Sequence, residues 1–283
     1  MTTTGTRVRE DSDLGRIPGL VIFYIGCAVH LLFLVSLLTH WLDPLFFEAT
    51  TDYGQASDYF GIYQAGDNLT QGRSIYLEGG RPEDSDRHVP YYYFYRYLPP
   101  TATFMALTAL LLKPWPSYWV WVVINEALLG LTLFSLRRLR SPPSALRRAL
   151  AGLTLGFSPL YLELWMGQFS LLMAVLLWVT FWPELRAGAE GGGRIPAAGE
   201  GEGPPESWPQ AGPKERFRAL LRQPSLWCWS ASVALKNYPA FFAFPWLRLG
   251  RWRRVFLGAG LVALSCLPYF LLRPHDVGLY RTA

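Results

Sequence analysis

Residues 17–42 read IPGLVIFYIGCAVHLLFLVSLLTHWL, a stretch without Asp, Glu, Lys or Arg. A hydrocarbon core about 30 Å thick needs roughly 20 apolar residues as helix, so this stretch is long enough to cross a membrane. It is too long for the apolar core of a signal peptide and shows no convincing small-residue cleavage site, which indicates a retained signal anchor. Residues 1–16 then form a cytoplasmic N-terminal tail.

Apolar blocks recur along the rest of the chain, at residues 98–112, 118–136, 149–166, 169–182, 225–249 and 255–272. The polar stretches 1–16, 43–97 and 183–224 hold 18 of the 21 acidic residues. This division excludes a soluble globular domain, a disordered chain and a disulfide-stapled secreted module. The sequence predicts an all-α polytopic membrane protein with about 6–7 transmembrane or re-entrant helices.

The two long polar stretches differ in kind. Loop 43–97 carries nine acids against four arginines and is weakly amphipathic around residues 58–66, which predicts one or two short helices on the membrane surface. Stretch 183–224 is rich in Gly, Pro and Glu, and we interpret it as a flexible cytoplasmic linker without a core. Membrane helices are predicted over 98–182 and over 225–283, where we expect a truncated end.

Most of the 26 basic residues are arginines at the ends of apolar blocks. Such a distribution sets membrane orientation, so we do not expect nucleic acid as a partner. The N-terminal tail, the arginine cluster 137–148 and the linker favour the cytoplasmic side, which places loop 43–97 outside. Two full crossings between residues 97 and 137 would put the cluster on the wrong side. Either block 98–112 is re-entrant, or the positive-inside tendency fails there.

Few residues carry an obvious chemistry. The three cysteines lie inside apolar blocks, and we find no metal-ligand spacing, no P-loop and no dinucleotide fingerprint. We therefore expect neither a metal nor a cofactor. The small residues Gly152 and Gly156 predict close packing of a helix against a neighbour.

Charged groups at membrane depth are more informative, because burying them unpaired is costly. Lys236 lies within block 225–249, and Pro239 follows and interrupts the helix. One interpretation is that the ammonium group binds an anion such as a lipid phosphate, since broken helix is tolerated beside a polar cavity. The other is that Lys236 reaches the interface or pairs with Glu126 or Glu163.

The outer loop offers two further features. Asp58 lies among aromatic residues, where it is either a solvated carboxylate or a general base that deprotonates a hydroxyl acceptor. The run 91–97, YYYFYRY, is either an interfacial aromatic belt or a platform for a sugar ring or isoprenoid chain. Arg96 within that run is suited to binding phosphate.

Five motifs occur in a fixed order along residues 58–239. They are Asp58-Tyr59-Phe60-Gly61-Ile62-Tyr63 closing with Gly72-Arg73-Ser74-Ile75-Tyr76, the aromatic Tyr95-Arg96-Tyr97-Leu98-Pro99-Pro100, Trp121 with Asn125, the turn Gly167-Gln168-Phe169-Ser170, and the break Lys236-Asn237-Tyr238-Pro239. In this order they resemble glycosyltransferase family 87, membrane enzymes of the C-type fold.

The resemblance implies transfer of a hexose, typically mannose, from a polyprenyl-phosphate sugar donor to a glycolipid or glycan acceptor. It implies inversion at the sugar, with Asp58 as the general base and no metal. The substrate-binding residues carried over from the motifs are Tyr63, Tyr95, Arg96, Tyr97, Gln168 and Lys236. The expected location is the plasma (inner) membrane, as a multi-pass protein among membrane lipid.

Two departures from the family pattern leave alternatives open. Ser170 stands where the turn usually has Asn, and the chain ends where the family would continue. A truncated chain would have a complementary half-protein as a partner. A non-catalytic protein of the same fold that binds polyprenyl lipid is the main alternative. A transporter is the other, since helices broken near the membrane centre are typical of transporters.

Overall fold

The computed structural model describes residues 13–46, 54–76, 89–90, 95–138, 143–190 and 212–282. Their regular secondary structure is helical throughout, without a strand, which confirms the predicted all-α class. Most of the N-terminal tail, the centre of the linker and the aromatic positions 91–94 lie outside the described residues.

The helices coincide only in part with the predicted apolar blocks, since blocks 149–166 and 225–249 are each divided into shorter helices. In chain order they are α1 (Asp13–Thr39), α2 (Asp43–Phe46), α3 (Ser57–Thr70), α4 (Pro99–Leu111), α5 (Pro114–Arg138), α6 (Ser144–Leu155), α7 (Ser158–Met166), α8 (Ser170–Glu190), α9 (Pro213–Leu221), α10 (Pro224–Leu235), the 3-10 helix Tyr238–Phe242, α11 (Ala243–Arg248), α12 (Trp252–Leu272) and α13 (Asp276–Thr282).

Three of the described helices are long and apolar enough to cross a membrane: Ile17–Thr39, Pro114–Arg137 and Trp252–Leu272. The broken pair Ser158–Met166 and Ser170–Pro183 adds a fourth if it counts as one span. Large apolar side chains on these spans are exposed, for example Leu38 at 70% and Leu272 at 83%. Exposed apolar surface of this extent is expected where lipid is the solvent, and the protein is a polytopic membrane protein.

The chain divides into two compact units. Unit 1 comprises Met1–Ala56 and Trp121–Gln168, and unit 2 comprises Ser57–Val120 and Phe169–Ala283. Helix α5 therefore begins in unit 2 and continues in unit 1.

In unit 1, α1 and α6 lie side by side. Gly19 lies against Ala145 and Gly26 against Gly152, so the two helices run parallel. A Cβ atom on Gly152 would stand 2.3 Å from the carbonyl oxygen of Ile22, closer than atoms approach without a shift. Only a residue without a side chain permits this separation, which confirms the predicted close packing at Gly152.

Arg137 and Arg147 of the arginine cluster lie at the end of unit 1 where α1 begins. Nη1 of Arg147 donates to the carbonyl oxygen of Arg137 over 3.0 Å, so the end of α5 meets the start of α6. Ala145, beside Arg147, packs on Gly19 near the start of α1. The last turn of α5 and the first turn of α6 thus share the end of unit 1 that carries the N-terminal tail.

The opposite end of unit 1 is held by polar contacts. The hydroxyl of Tyr161 in α7 donates to Oδ1 of Asp43 over 2.8 Å and lies 2.9 Å from Oγ of Ser36. Between the two ends, Nε2 of His30 lies 2.9 Å from Oε2 of Glu126, which joins α1 to α5. Such a pair is the expected arrangement for ionisable groups at membrane depth.

In unit 2, α8 and α10 are antiparallel. Oγ1 of Thr180 donates to the carbonyl oxygen of Ser225 over 3.5 Å, while Lys236 at the other end of α10 contacts Ser170 at the start of α8. After Lys236 the chain folds back, so that Trp246 packs on Trp229 with 5.6 Å between ring centroids. The predicted span over 225–249, interrupted at Pro239, thus consists of α10 and α11 with the 3-10 helix Tyr238–Phe242 between them.

Helix α3 packs along α4. The hydroxyl of Tyr63 donates to the carbonyl oxygen of Leu112 over 2.8 Å, and that of Tyr59 to Ser117 over 3.0 Å. Residues 57–68 are all buried within the protein. The helix predicted near residues 58–66 is thus present, and it is covered by protein on every side.

Candidate functional site

The interruption of α10 occurs at Lys236, three residues before Pro239. Pro239 has no N–H to donate to the carbonyl oxygen of Leu235, so the helix ends early. Lys236 is extended, with φ −149° and ψ 140°. The carbonyl groups of Ala234 and Leu235 are left without helical partners. The hydroxyl of Thr101 donates to their oxygens over 3.2 and 3.4 Å. The end of α10 is thereby attached to the first turn of α4.

Lys236 reaches the start of another helix. Its Nζ donates to Oγ of Ser170, the first residue of α8, over 3.4 Å, and lies 5.7 Å from the ring centroid of Tyr238. The first turn of a helix presents unpaired N–H groups and a partial positive charge. An ammonium group beside such a turn makes an electropositive position that suits an anion. Among the described residues, no Asp or Glu forms an ion pair with Lys236.

The two acids that the sequence offered as ionic partners of Lys236 are Glu126 and Glu163. Glu126 is paired with His30 in unit 1. Glu163 is buried in the last turn but one of α7, and the N–H of Gln168 donates to its backbone carbonyl over 2.9 Å.

Tyr95 caps the N-terminus of α4. That helix begins with two prolines, and its first unpaired N–H groups need acceptors. The hydroxyl of Tyr95 accepts the N–H of Ala102 over 3.0 Å and donates to the carbonyl oxygen of Leu98 over 2.6 Å. Burial raises the pKa of Tyr95 well above its ordinary value, so the hydroxyl remains protonated. Its ring is 1% exposed.

Around Tyr95 the structure assembles a group of tyrosines. The ring of Tyr76 lies 5.5 Å from that of Tyr95 and 5.7 Å from that of Tyr280. Tyr97 lies 5.6 Å from Tyr95, and its carbonyl oxygen accepts the hydroxyl of Tyr76 over 3.2 Å. Burial, followed by the neighbouring Tyr269 and Tyr280, raises the pKa of Tyr76. We call Tyr76, Tyr95, Tyr97 and Tyr280 the tyrosine cluster.

The tyrosine cluster and Lys236 occupy the same end of unit 2. The side-chain amide of Asn237, next to Lys236, donates to the hydroxyl of Tyr280 over 3.0 Å. Arg96 is exposed, and Tyr97 and Tyr280 are half-buried; we call these three residues the rim of the tyrosine cluster. The predicted residues Tyr95, Arg96, Tyr97 and Lys236, distant in sequence, are thus brought together by the fold.

Two predicted residues lie on α3. Asp58 is in its first turn and is 9% exposed. Tyr63 is fully buried, with its hydroxyl on Leu112. Tyr76 follows the last turn of α3, which has 14 residues and is about 20 Å long. Asp58 and Tyr76 therefore lie near opposite ends of this helix. Burial also raises the pKa of Tyr59, beside Asp58, above its ordinary value.

Gln168 belongs to unit 1. The preceding Gly167 ends α7 with φ 68°, a left-handed conformation that favours glycine. The carbonyl oxygen of Gln168 accepts Nε1 of Trp121 over 3.1 Å, and its amide group contacts the sulfur of Met166 at 3.5 Å. Two motifs of the sequence, Trp121 with Asn125 and the turn at Gly167, therefore meet in unit 1.

A family model for glycosyltransferase family 87 matches residues 95–280. The chain belongs to glycosyltransferase family 87. It is a membrane glycosyltransferase by family and by its apolar helices. Comparison with curated proteins gives no match, and comparison with solved structures gives none.

The family 87 match covers most of the residues predicted from the motifs. Tyr95, Arg96, Tyr97, Gln168 and Lys236 lie inside the matched range, whereas Asp58 and Tyr63 precede it. Within the described part of the chain, no group of three or more His, Cys, Asp or Glu is placed to hold a metal ion.

The sequence did not single out one buried carboxylate, that of Asp276. Asp276 is buried, 5% exposed, and its Oδ2 accepts the hydroxyl groups of Ser74, over 2.6 Å, and Tyr269. The signal available in the sequence was that only three acids lie outside the polar stretches, and Asp276 is one of them. A rare acid inside a family match is a candidate for a specific role.

Proposed function

We propose that this family 87 glycosyltransferase transfers a hexose, with mannose the first candidate, from a polyprenyl-phosphate sugar to a glycolipid or glycan acceptor. The observation that carries the proposal is Lys236 beside Ser170 at the N-terminus of α8. This electropositive position suits a phosphate group, and the donor of the proposed reaction carries one. Arg96, exposed at the rim, supplies a second cation for the same group.

The proposed chemistry is a single displacement. Asp58 accepts the proton of an acceptor hydroxyl as its oxygen attacks the anomeric carbon of the donor sugar. The bond from that carbon to the phosphate oxygen breaks, polyprenyl phosphate leaves as an anion, and the configuration at carbon inverts. Lys236 stabilises the charge that develops on the departing phosphate. A phosphate leaving group has a low pKa, so no general acid is required.

The other predicted residues have supporting roles in this proposal. Tyr97, half-buried at the rim, offers its ring face to the sugar or to the isoprenoid chain. Tyr95 and Tyr63 stabilise the surrounding helices, since both are buried and both hydroxyl groups donate to backbone carbonyls. Gln168 positions the turn that precedes Ser170.

We propose that the site faces the outside of the plasma (inner) membrane. This orientation is supported by unit 1, where Arg137 and Arg147 lie at the end that carries the N-terminal tail. Positive residues prefer the cytoplasmic side, so α1 leads outward and α5 leads back. If α4 does not cross the membrane, α5 is the one return crossing that this orientation needs. The 13 residues of α4 span only about 20 Å, less than the hydrocarbon core of about 30 Å.

The proposal is tested by transfer of radiolabelled mannose from polyprenyl-phosphate mannose in membranes that contain the protein. Wild-type membranes should transfer the label, and Asp58→Asn should abolish transfer at unchanged expression. Glu215→Gln, which alters an exposed carboxylate of α9, should leave transfer unchanged. Retained activity in Asp58→Asn would remove Asp58 as the base. Binding of polyprenyl phosphate without any transfer would support the non-catalytic alternative.

A further inference from the structure

Asp276 joins two parts of unit 2 that are far apart in sequence. Ser74, which donates to its Oδ2 over 2.6 Å, lies 202 residues before it. The hydroxyl of Tyr269 in α12 donates to the same oxygen and accepts the backbone N–H of Ile75 over 2.9 Å. We call Asp276, Tyr269 and Ser74 the Asp276 network. It fixes two consecutive residues of segment 73–76 to the end of α12.

Segment 73–76 leads directly to the site. Tyr76, its last residue, packs on Tyr95 and Tyr280, and its hydroxyl binds the carbonyl oxygen of Tyr97. A shift of Ser74 and Ile75 would therefore move Tyr76 and release the backbone beside Arg96. The position of the rim residues depends on the Asp276 network through this chain of contacts.

The carboxylate is suited to this task for a physical reason. Hydrogen bonds to an ionised acceptor are about twice as strong as those between neutral groups. Two hydroxyl donors converge on one buried oxygen, which compensates the charge for its removal from water. The guanidinium group of Arg273, three residues before Asp276, donates to the carbonyl oxygen of Gly72, the residue before segment 73–76.

We propose that Asp276 is a positioning residue for the donor-binding side of the transferase site. It acts through Ser74, Tyr269 and Tyr76 to hold Arg96 and the ring of Tyr97 where the donor binds. This inference rests on the proposed function for its kinetic consequence. Loss of the network raises the KM for the donor and leaves kcat nearly unchanged, because Asp58 and Lys236, which act on the reacting bond in the proposed reaction, are not part of the network.

The test combines hydrogen exchange with donor kinetics on the full chain in lipid nanodiscs. In Asp276→Ala and Tyr269→Phe, the amide of Ile75 should exchange faster than in wild type. The KM for polyprenyl-phosphate mannose should rise about tenfold or more, as expected for loss of bonds to a charged group, with kcat within about twofold. Asp276→Asn should be intermediate, because an amide oxygen still accepts both hydroxyl groups.

Asp43→Asn is the matched control, since Asp43 also accepts a tyrosine hydroxyl, that of Tyr161, but belongs to unit 1. It should change neither Ile75 exchange nor KM. If Asp276→Ala fails to fold, Tyr269→Phe and Ser74→Ala test the positioning role instead. Unchanged Ile75 exchange, or a fall in kcat at constant KM, would overturn the positioning role. Absence of transfer by wild type would overturn the proposed function. The exchange rate of the Ile75 amide would still test whether the Asp276 network holds segment 73–76.

Discussion

The ammonium nitrogen of Lys236 lies 3.4 Å from the hydroxyl oxygen of Ser170, the first residue of α8. The contact brings together two motifs that the sequence separates by 66 residues. Ser170 stands where this turn usually has Asn. It accepts the hydrogen bond from Lys236 of the second motif. A serine hydroxyl and an asparagine amide oxygen both accept from an ammonium group, so the replacement keeps the contact.

Replacing Lys236 by Ala should reduce transfer about 100-fold, because a charge that stabilises the leaving phosphate is lost. The measurement is initial-rate transfer from polyprenyl-phosphate mannose at matched expression. Lys113→Ala is the control, since Lys113 is exposed between α4 and α5 and is one of only three lysines. An equal loss in both variants would contradict a specific role for Lys236.

Substitution of two glycines in unit 1 should have opposite effects on stability. Gly152→Ala places a Cβ 2.3 Å from the carbonyl oxygen of Ile22 and should lower stability by about 1–3 kcal/mol. Gly130→Ala, within α5, meets nothing within 4 Å and should be neutral or stabilising by up to about 1 kcal/mol, as Ala favours helix. Thermal unfolding in detergent measures both. A tolerated Gly152→Ala would argue against close α1–α6 packing.

Stability should fall at alkaline pH because of buried tyrosines. The folded-state pKa values of Tyr59, Tyr76 and Tyr95 are raised by burial, so their contribution is complete below about pH 10. Above about pH 10, these tyrosines ionise in the unfolded chain but stay neutral in the folded protein. Each of them then lowers the free energy of unfolding by about 1.4 kcal/mol per pH unit.

Unfolding midpoints between pH 9 and 11.5, with tyrosinate absorbance, test this expectation. Tyr95→Phe should reduce the slope, since one titrating group is removed, and should lower stability at pH 8 through loss of the α4 cap. A slope that is equal in wild type and Tyr95→Phe would mean that other groups cause the alkaline loss.

The orientation of unit 1 can be tested by cysteine labelling in a background without the three native cysteines. A membrane-impermeant maleimide should label His40→Cys from outside, and Ser144→Cys only after the membrane is opened. His40 follows α1, whereas Ser144 begins α6 beside the start of α1. Labelling of both from the outside would contradict the proposal that α4 does not cross.

The sequence by itself determined the helical class, the membrane-spanning blocks, the break near Pro239 and the packing role of Gly152. These features follow from local causes: apolar length, the missing N–H of proline, and the missing side chain of glycine. The motifs also identified the family, because their order and spacing are properties of the chain itself.

Only the tertiary structure decided which of these residues meet. It joined Lys236 to Ser170, placed Arg147 at the end of unit 1 where α1 begins, and folded the chain back after Lys236. It also revealed Asp276, whose partner Ser74 lies 202 residues away. A single acid in an apolar stretch has no periodic pattern to predict its partner. Such contacts depend on how helices pack, which hydropathy does not encode.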